Sequence, residues 1–332
     1  MSMKIDARSV YKSYDSETVL EGLDFTVEKG ECVSLIGPSG AGKTTLLKLI
    51  AGIEAPDGGE ILLDPVPSRL VPVILVFQDY VLFPHQSVYS NVSFGLRARR
   101  LPKSEIKPRV EEYLAYVGLA DKAAAYPNQL SAGQRQRVAI ARAMVVNPGV
   151  LLLDEPFANL DRNLKMETAQ FIRETGRRFG ITIVSVTHDL EEAFAMSDKV
   201  GILLDGRLER FDSSREVYFN PATYAAAQFL GPVNVIEKSL YPTLEWPGEM
   251  PRAARVFARG EGLEIFPDSA GEWEIEDIRF VGILILYTIS RGDTRWKVYC
   301  IGDGLNTGDR VGCRVSRYFE DAAAVVSGTE TD

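Results

Sequence analysis

The sequence predicts an α/β fold with a mainly parallel sheet, followed by a small all-β domain. Up to about residue 230, strand-like apolar runs alternate with helix-like stretches, which is the pattern of an α/β domain. After about Gly231 the helical pattern stops, and short strand-like runs alternate with turn signals. A glycine-rich loop at residues 37–44 lies between a predicted strand and a predicted helix. We therefore expect two domains, 1–235 and 236–332.

The predicted strands of the first domain are short apolar runs of the kind found in parallel sheets. They are Val33–Ile36, Val73–Phe77, Val150–Leu153, Thr182–Val186 and Val200–Leu204. The segment from about residue 87 to 147 interrupts the series of strands and contains two predicted helices, Lys103–Val117 and Gly133–Val146. We therefore expect a helical subdomain beside the sheet. The strands predicted for the second domain are Ala254–Ala258, Glu274–Phe280, Ile283–Ser290, Thr294–Ile301 and Arg310–Val315.

Composition places the chain among ordinary globular proteins and argues against several classes. The 332 residues are 45% hydrophobic and 25% charged. A net charge of −9 argues against a nucleic-acid partner bound over a broad electrostatic surface. The three cysteines, Cys32, Cys300 and Cys313, have no metal-type spacing and are too few for a disulfide framework. Without a signal peptide or an apolar run of about 18 residues, we expect a cytoplasmic chain that does not span a membrane.

The strand Val33–Ile36 runs directly into the sequence Gly37-Pro-Ser-Gly-Ala-Gly-Lys-Thr44, which has the form of a phosphate-binding loop. Such glycines let backbone N–H groups turn toward an anion, and the helix that follows presents its positive end. Lys43 is expected to reach the β- and γ-phosphates, and the Thr44 hydroxyl to ligate Mg²⁺. The predicted nucleotide contacts are Gly37, Pro38, Ser39, Gly40, Ala41, Gly42, Lys43, Thr44 and Thr45.

Two carboxylates end the predicted strand Val150–Leu153. Ligands of open α/β sheets bind at the carboxyl ends of the strands, where Asp154 and Glu155 lie. Asp154 is placed to hold Mg²⁺ through water, and Glu155 to polarise an attacking water. Adjacent carboxylates alone are more often a solvated strand end, but together with the loop at 37–44 they predict a hydrolysis site.

Five further elements occur in a fixed order with these two. Their residues are Tyr14, Gln78, Leu130-Ser-Ala-Gly-Gln-Arg-Gln-Arg137, Asn159-Leu-Asp161 and Thr187-His-Asp189. With them the chain closely resembles the ATP-binding subunits of ABC transporters over about residues 4–230. The resemblance implies a P-loop NTPase with a RecA-like core, an antiparallel β subdomain and a helical subdomain. It also implies ATP and Mg²⁺ as ligands.

The resemblance assigns roles to these elements. Gln78 contacts Mg²⁺ and the catalytic centre, Asp161 contacts nucleotide, and His188 contacts the γ-phosphate. Tyr14 stacks on adenine, although a packed surface aromatic fits the same residue. Near the start of a long predicted helix, Ser131, Gly133 and Gln134 are expected to form a second anion site. In the family this site serves a second copy of the chain, because two cassettes pair head to tail around each ATP.

The stretch from Gln78 to Leu96 resembles importer ATPases for ferric iron, sulfate, molybdate, polyamines and sugars. In those proteins the segment forms part of a groove for a membrane permease. Four apolar residues are candidates for that groove, although ordinary packing within the helical subdomain fits each of them equally well. They are Leu82, Phe83, Val88 and Phe94.

The C-terminal domain resembles the OB-like TOBE domain of such importers. Phe229-Leu-Gly-Pro-Val-Asn-Val235 resembles its junction, and Arg259-Gly-Glu261 resembles its R-P-E segment. At about 95 residues the tail can hold one compact barrel, which favours iron, polyamine or inorganic-anion import over sugar import. The tail and the segment at 78–96 favour import over export, and a single cassette without a coiled-coil insert argues against a soluble ABC ATPase. The resemblance implies a peripheral protein on the cytoplasmic face of the inner membrane, with an extracytoplasmic solute-binding protein as an indirect partner.

Two positions depart from the family pattern. Ala132 stands where the signature usually has its first glycine, so a left-handed backbone there would cost about 1 kcal/mol. The segment Asp64–Leu75 is several residues shorter than in relatives, which is expected to trim a surface loop without losing chemistry.

Overall fold

The computed structural model describes residues 2–78, 81–157, 162–302 and 304–321, without the side chains of Arg162 and Asn163. The chain folds as two compact units, Met1–Ser214 and Arg215–Asp332. Each unit has its own hydrophobic core, so each is described by itself.

Unit 1 contains a mainly parallel six-stranded sheet and an antiparallel three-stranded sheet. Its strands are β1 (Lys4–Tyr14), β2 (Glu17–Val27), β3 (Cys32–Ile36), β4 (Gly58–Asp64), β5 (Val73–Val76), β6 (Val150–Asp154), β7 (Thr182–Thr187), β8 (Lys199–Leu204) and β9 (Arg207–Ser213). The large sheet has the order β5-β6-β7-β3-β8-β9, and only β9 runs antiparallel to its neighbour. The small sheet has the order β2-β1-β4.

Six helices cover the described part of unit 1. They are α1 (Lys43–Ile50), α2 (Val88–Ala98), α3 (Lys103–Tyr116), α4 (Ala132–Met144), α5 (Arg162–Phe179) and α6 (Leu190–Met196), with short 3-10 turns at Ala120–Lys122 and Pro127–Gln129. Helices α2, α3 and α4 fall within the segment at 87–147, where the sequence predicts a helical insertion. They share one hydrophobic core with β5, β6 and α5.

The central strands of the large sheet are buried, as is typical of parallel strands that are covered on both faces. All five residues of β3 and all six of β7 are buried, as are Val150–Leu153 of β6. Strands that are covered on both faces read as continuous apolar runs, which is the pattern that predicted them. A second core joins α1 to β3, β6 and β7 and to the small antiparallel sheet. The predicted α/β fold class is confirmed.

Unit 2 is mainly β. It begins with α7 (Ser214–Phe219) and α8 (Tyr224–Leu230) and continues with β10 (Val233–Glu237), β11 (Arg255–Arg259), β12 (Leu263–Pro267), β13 (Trp273–Val281), β14 (Leu284–Arg291), β15 (Thr294–Cys300) and β16 (Arg310–Val315). Short 3-10 turns lie at Lys238–Thr243 and Gly260–Gly262. Strands β10 and β11 pair, and the remaining five form a sheet of order β12-β16-β13-β14-β15. The core stacks Trp273 on Trp296 at 4.1 Å between ring centroids, which fits a single small β domain.

The division between the units falls at 214/215, before the expected boundary at 235/236. Helices α7 and α8 therefore fold with the β domain. Arg259 of β11 is buried and donates hydrogen bonds to the carbonyls of Ala227 and Leu230, at 3.3 and 3.1 Å. Tyr224 and Phe257 lie 4.9 Å apart between ring centroids. These contacts join residues that are distant in sequence, so a change in local pattern near Gly231 does not reveal them.

Candidate active site

The carboxyl ends of three neighbouring parallel strands bring the predicted catalytic residues together. The order β6-β7-β3 places Asp154 and Glu155, His188 and the loop at 37–42 at one edge of the sheet. The strand β5 pairs with β6, and Gln78 follows it as an exposed residue at the same edge. Parallel strands of adjacent register present their ends side by side, which is why residues far apart in sequence converge here.

The phosphate loop lies between β3 and α1 and has the sharp turns that its glycines allow. Gly42 has a φ of 95°, and a side chain there would place its Cβ 2.5 Å from a methyl carbon of Leu20. A Cβ at Gly37 would lie 2.2 Å from the carbonyl oxygen of Leu203. Neither position accepts another residue without movement of the surrounding chain, while the crest at Pro38–Gly40 is exposed.

Lys43 stands at the start of α1 and folds its side chain back into the loop. Its Nζ donates to the carbonyl oxygens of Gly37 and Pro38, each at 2.8 Å. Burial lowers the pKa of the Lys43 ammonium, and the nearby carboxylates of Glu155 and Asp154 partly oppose that shift. A positive charge held within a turn of backbone N–H groups is the arrangement that binds phosphate oxygens.

A hydrogen bond connects the loop to the acidic strand end. Thr44 Oγ1 donates to Asp154 Oδ1 at 3.1 Å. Burial raises the pKa of the Asp154 carboxyl, while this hydrogen bond lowers it. Hydroxyl and carboxylate oxygens are the hard ligands that Mg²⁺ prefers, so the pair fits a magnesium ion shared with phosphate oxygens and water. Within the described residues, no group of three or more His, Cys, Asp or Glu side chains forms a metal cluster.

Glu155 has a left-handed backbone that turns its side chain toward His188. Its φ is 45°, a conformation that non-glycine residues rarely adopt. The backbone N–H of Glu155 donates to the carbonyl of Val186 on β7 at 3.0 Å, which holds the turn in place. Glu155 Oε1 lies 3.2 Å from His188 Nδ1. The carboxylate is therefore oriented by a neighbouring side chain at the open edge of the sheet.

The signature at 130–137 forms the N-terminus of α4. Ser131 Oγ accepts a hydrogen bond from the Gln134 N–H at 3.3 Å, and Gln134 Oε1 accepts one from the Ser131 N–H at 3.0 Å. This capping box fixes the start of the helix. Gly133 lies inside α4, and a Cβ there would lie 3.0 Å from a methyl carbon of Leu164.

Tyr14 ends β1 and is 39% exposed. Its hydroxyl donates to Glu54, and the Lys12 ammonium lies 5.3 Å from the ring centroid. The hydrogen bond of the hydroxyl orients the ring, and the Lys12 cation covers part of one face. The ring remains accessible to solvent. Asp161, which is also predicted to contact nucleotide, lies outside the described residues.

The four apolar candidates for a partner groove separate into two pairs. Leu82 and Val88 are buried in the helical core, so the structure assigns them to packing. Phe94 is 44% exposed, and its ring lies 4.6 Å from that of the partly buried Phe83 between centroids. Val81, which sequence analysis passed over, is 68% exposed. We call Val81, Phe83 and Phe94 the apolar surface.

Comparison with known proteins decides the family. Residues 20–158 match the family described as ABC transporter. The chain is 45% identical over 275 residues to the spermidine/putrescine import ATP-binding protein of Nitratidesulfovibrio vulgaris, covering 79% of this chain and 75% of that protein. The chain belongs to the family of ABC transporter ATP-binding proteins. It is an ABC-type ATPase, and the predicted family and enzyme class are confirmed.

Other members of the ABC family agree with this assignment. The spermidine/putrescine import ATP-binding protein of Mannheimia succiniciproducens is 42% identical over 271 residues, which are 80% of this chain and 71% of that protein. The dimeric ATP-binding cassette MJ0796, solved in a post-hydrolysis state with ADP and Pi, is 32% identical with a TM-score of 0.56. That match covers 64% of this chain and 99% of the cassette. The P-loop NTPase fold of this ABC ATPase is thereby confirmed.

The substitution in the ABC signature carries no backbone strain. Ala132 is the first residue of α4, and its φ is not positive. The anticipated cost of a left-handed alanine therefore does not arise. The glycine that the packing requires is Gly133, which faces Leu164 on α5.

Replacing Ala132 by glycine is expected to leave the ATP turnover of the protein within about twofold of wild type, because a helical backbone does not require glycine. Steady-state phosphate release measures this. Gly133→Val serves as the contrasting variant, since its side chain meets Leu164 and is expected to lower turnover. A rise of more than about tenfold in Ala132→Gly would show instead that alanine compromises the site.

Proposed function

We propose that this ATPase hydrolyses Mg²⁺-bound ATP at the edge formed by β3, β6 and β7. The observation that carries the proposal is the convergence of the buried Lys43 ammonium, the Thr44–Asp154 pair and the Glu155–His188 pair. Phosphoryl transfer needs positioning and charge stabilisation more than covalent chemistry. These groups provide both at one place.

Each residue has a distinct role in the proposed reaction. Lys43 and the backbone N–H groups within residues 37–45 bind the β- and γ-phosphates. Thr44 and Asp154, with Gln78, hold the Mg²⁺, which when bound neutralises charge on the phosphate oxygens. Glu155 orients the attacking water and accepts its proton, and the products are ADP and phosphate. His188 orients the Glu155 carboxylate and contacts the γ-phosphate.

The complete site requires a second copy of the chain. The N-terminus of α4 is exposed at Ser131 and Ala132, with Ser131 and Gln134 bonded to each other. We infer that this end, including Gly133, closes over ATP held by the phosphate loop of a partner copy. Asp161 and Tyr14 complete the nucleotide contacts, the latter by stacking on adenine. The solved dimer of the MJ0796 cassette supports such an assembly.

The transport role that we propose is import of a polyamine through a separate membrane permease. The names of the relatives, which are 42% and 45% identical, support this substrate class. In the described residues, no helix is long and apolar enough to cross a membrane. The apolar surface of Val81, Phe83 and Phe94 is a suitable contact for permease subunits. An extracytoplasmic solute-binding protein then delivers the solute, and the chain sits at the cytoplasmic face of the membrane.

The test is ATP hydrolysis by the chain assembled with its permease in vesicles. Adding the cognate binding protein loaded with spermidine or putrescine is expected to stimulate phosphate release severalfold, whereas ferric iron, sulfate or maltose has no effect. Stimulation by one of the other solutes would reassign the substrate. ATP-driven movement of solute in the direction opposite to import would identify an exporter. Failure to assemble with any permease would favour a soluble ABC ATPase.

A further inference from the structure

The two residues that flank His188 are held by hydrogen bonds to the helix that follows. Thr187 Oγ1 donates to Glu192 Oε2 at 2.7 Å, and the Asp189 N–H donates to Thr187 Oγ1 at 3.0 Å. The Asp189 carboxylate also caps α6, because its Oδ1 accepts from the N–H groups of Glu191 and Glu192 at 3.0 and 3.3 Å. The backbone that carries His188 is therefore fixed on both sides.

A single cation on a different helix joins these contacts. Lys165 of α5 places its Nζ 2.8 Å from Glu192 Oε1 and 3.2 Å from Asp189 Oδ2. The Glu192 side chain is only 5% exposed and that of Lys165 is 26% exposed, so the pair lies largely out of solvent. A buried carboxylate is costly without a partner, and Lys165 provides that partner. Glu192 is tied to Thr187 at one oxygen and to Lys165 at the other.

We propose that Lys165 is a positioning residue for ATP hydrolysis, holding His188 against Glu155 through Glu192 and Asp189. The inference rests on the proposed role of His188. The chain of contacts runs from Lys165 to Glu192, to Thr187, and then to the backbone of His188, whose Nδ1 lies 3.2 Å from Glu155 Oε1. Loss of the cation leaves Glu192 buried without a counter-charge, so the segment before α6 must rearrange.

The position of Lys165 gives the contact a second consequence. Helix α5 starts at Arg162, directly after the segment that contains Asp161, and α5 packs against α6. The ion pair joins the start of α5 to the segment that carries His188. A displacement of α5 when the partner copy closes is then transmitted to the residue that orients Glu155. Sequence analysis missed Lys165, because nothing in its spacing relates it to His188.

The experiment compares Lys165→Met with Lys165→Arg in the full-length protein. Lys165→Met is expected to lower kcat for ATP about tenfold while changing KM less than about twofold, because nucleotide binding does not use this contact. Lys165→Arg keeps the charge and is expected to recover most of kcat. Lys107→Met is the matched control, since the Lys107 side chain on α3 is exposed and lies 3.9 Å from Glu111. It is expected to retain wild-type turnover.

A double-mutant cycle separates positioning from a general effect on stability. In a His188→Ala background, Lys165→Met is expected to cause no further loss of kcat. Glu192→Gln, which keeps the shape and the Thr187 contact, should behave like Lys165→Met even where its melting temperature equals that of wild type. A further tenfold loss in the His188→Ala background, or a raised KM in Lys165→Met, would overturn the inference.

The failure of the inference and that of the proposed site can be told apart. If His188→Ala lowers kcat and Lys165→Met leaves it at the wild-type value, Lys165 has no positioning role and the proposed site stands. If His188→Ala itself hydrolyses ATP at the wild-type rate, the proposed role of His188 is wrong, and the inference about Lys165 falls with it.

Discussion

Glu155→Gln is expected to hydrolyse ATP about 100-fold more slowly than wild type or worse, and to accumulate as an ATP-bound dimer. The amide keeps the size of the side chain and its contact with His188, but it neither accepts a proton nor orients water as a carboxylate does. Removal of one negative charge beside the proposed phosphate site also lowers repulsion in the proposed closed state. Light scattering with Mg²⁺ and ATP measures the mass of the particle, and phosphate release measures the rate.

The matched control for this variant is Glu60→Gln. Glu60 lies on β4 with a half-exposed side chain and an ion pair to Arg8 at 3.3 Å, away from the strand ends that form the site. It is expected to hydrolyse ATP like wild type and to show no stable dimer. A Glu155→Gln protein that stays monomeric under Mg²⁺ and ATP would refute the proposed closure of two copies around the nucleotide.

Lys43→Ala is expected to reduce ATP hydrolysis to the background rate. The variant removes the buried cation that lies 2.8 Å from two loop carbonyls, and with it the charge proposed to bind the phosphates. Loss of a preorganised charge that stabilises the transition state costs about 3 kcal/mol or more, which is a factor of about 100 in rate. Phosphate release measures the rate of hydrolysis, and binding of a fluorescent ATP analogue measures the affinity for nucleotide.

Lys29→Ala is the control for the loss of a lysine. Lys29 is half exposed and pairs with Asp64 at 2.9 Å, so its removal is expected to change neither binding nor turnover. Melting temperatures of both variants establish that each remains folded. Turnover near the wild-type value in Lys43→Ala would contradict the assignment of the phosphate loop.

The parts of the site that lie within one short segment could be predicted from the sequence. The loop at 37–44 and the pair Asp154–Glu155 are each defined by neighbours in the chain, because a buried strand leads directly into both. The alternation of strands and helices then requires their ends to meet at one edge of a parallel sheet. No long-range packing information is needed for these conclusions.

Features that depend on contacts across the fold were not predictable in the same way. Leu82 and Phe94 have similar apolar side chains, but only packing decides that one is buried and the other 44% exposed. The backbone of Ala132 is helical because of the capping box around it, not because of its own side chain. The association of α8 with the β domain depends on Arg259, far along the chain.

The Thr44–Asp154 hydrogen bond has a consequence for the order in which ligands arrive. A single carboxylate that already accepts a hydrogen bond from a hydroxyl binds a free divalent cation weakly. Phosphate oxygens must supply the remaining negative ligands, so metal and nucleotide enter the proposed site as one complex. Under the proposed function, Mg²⁺ availability would control ATP hydrolysis through the fraction of ATP that is metal-bound.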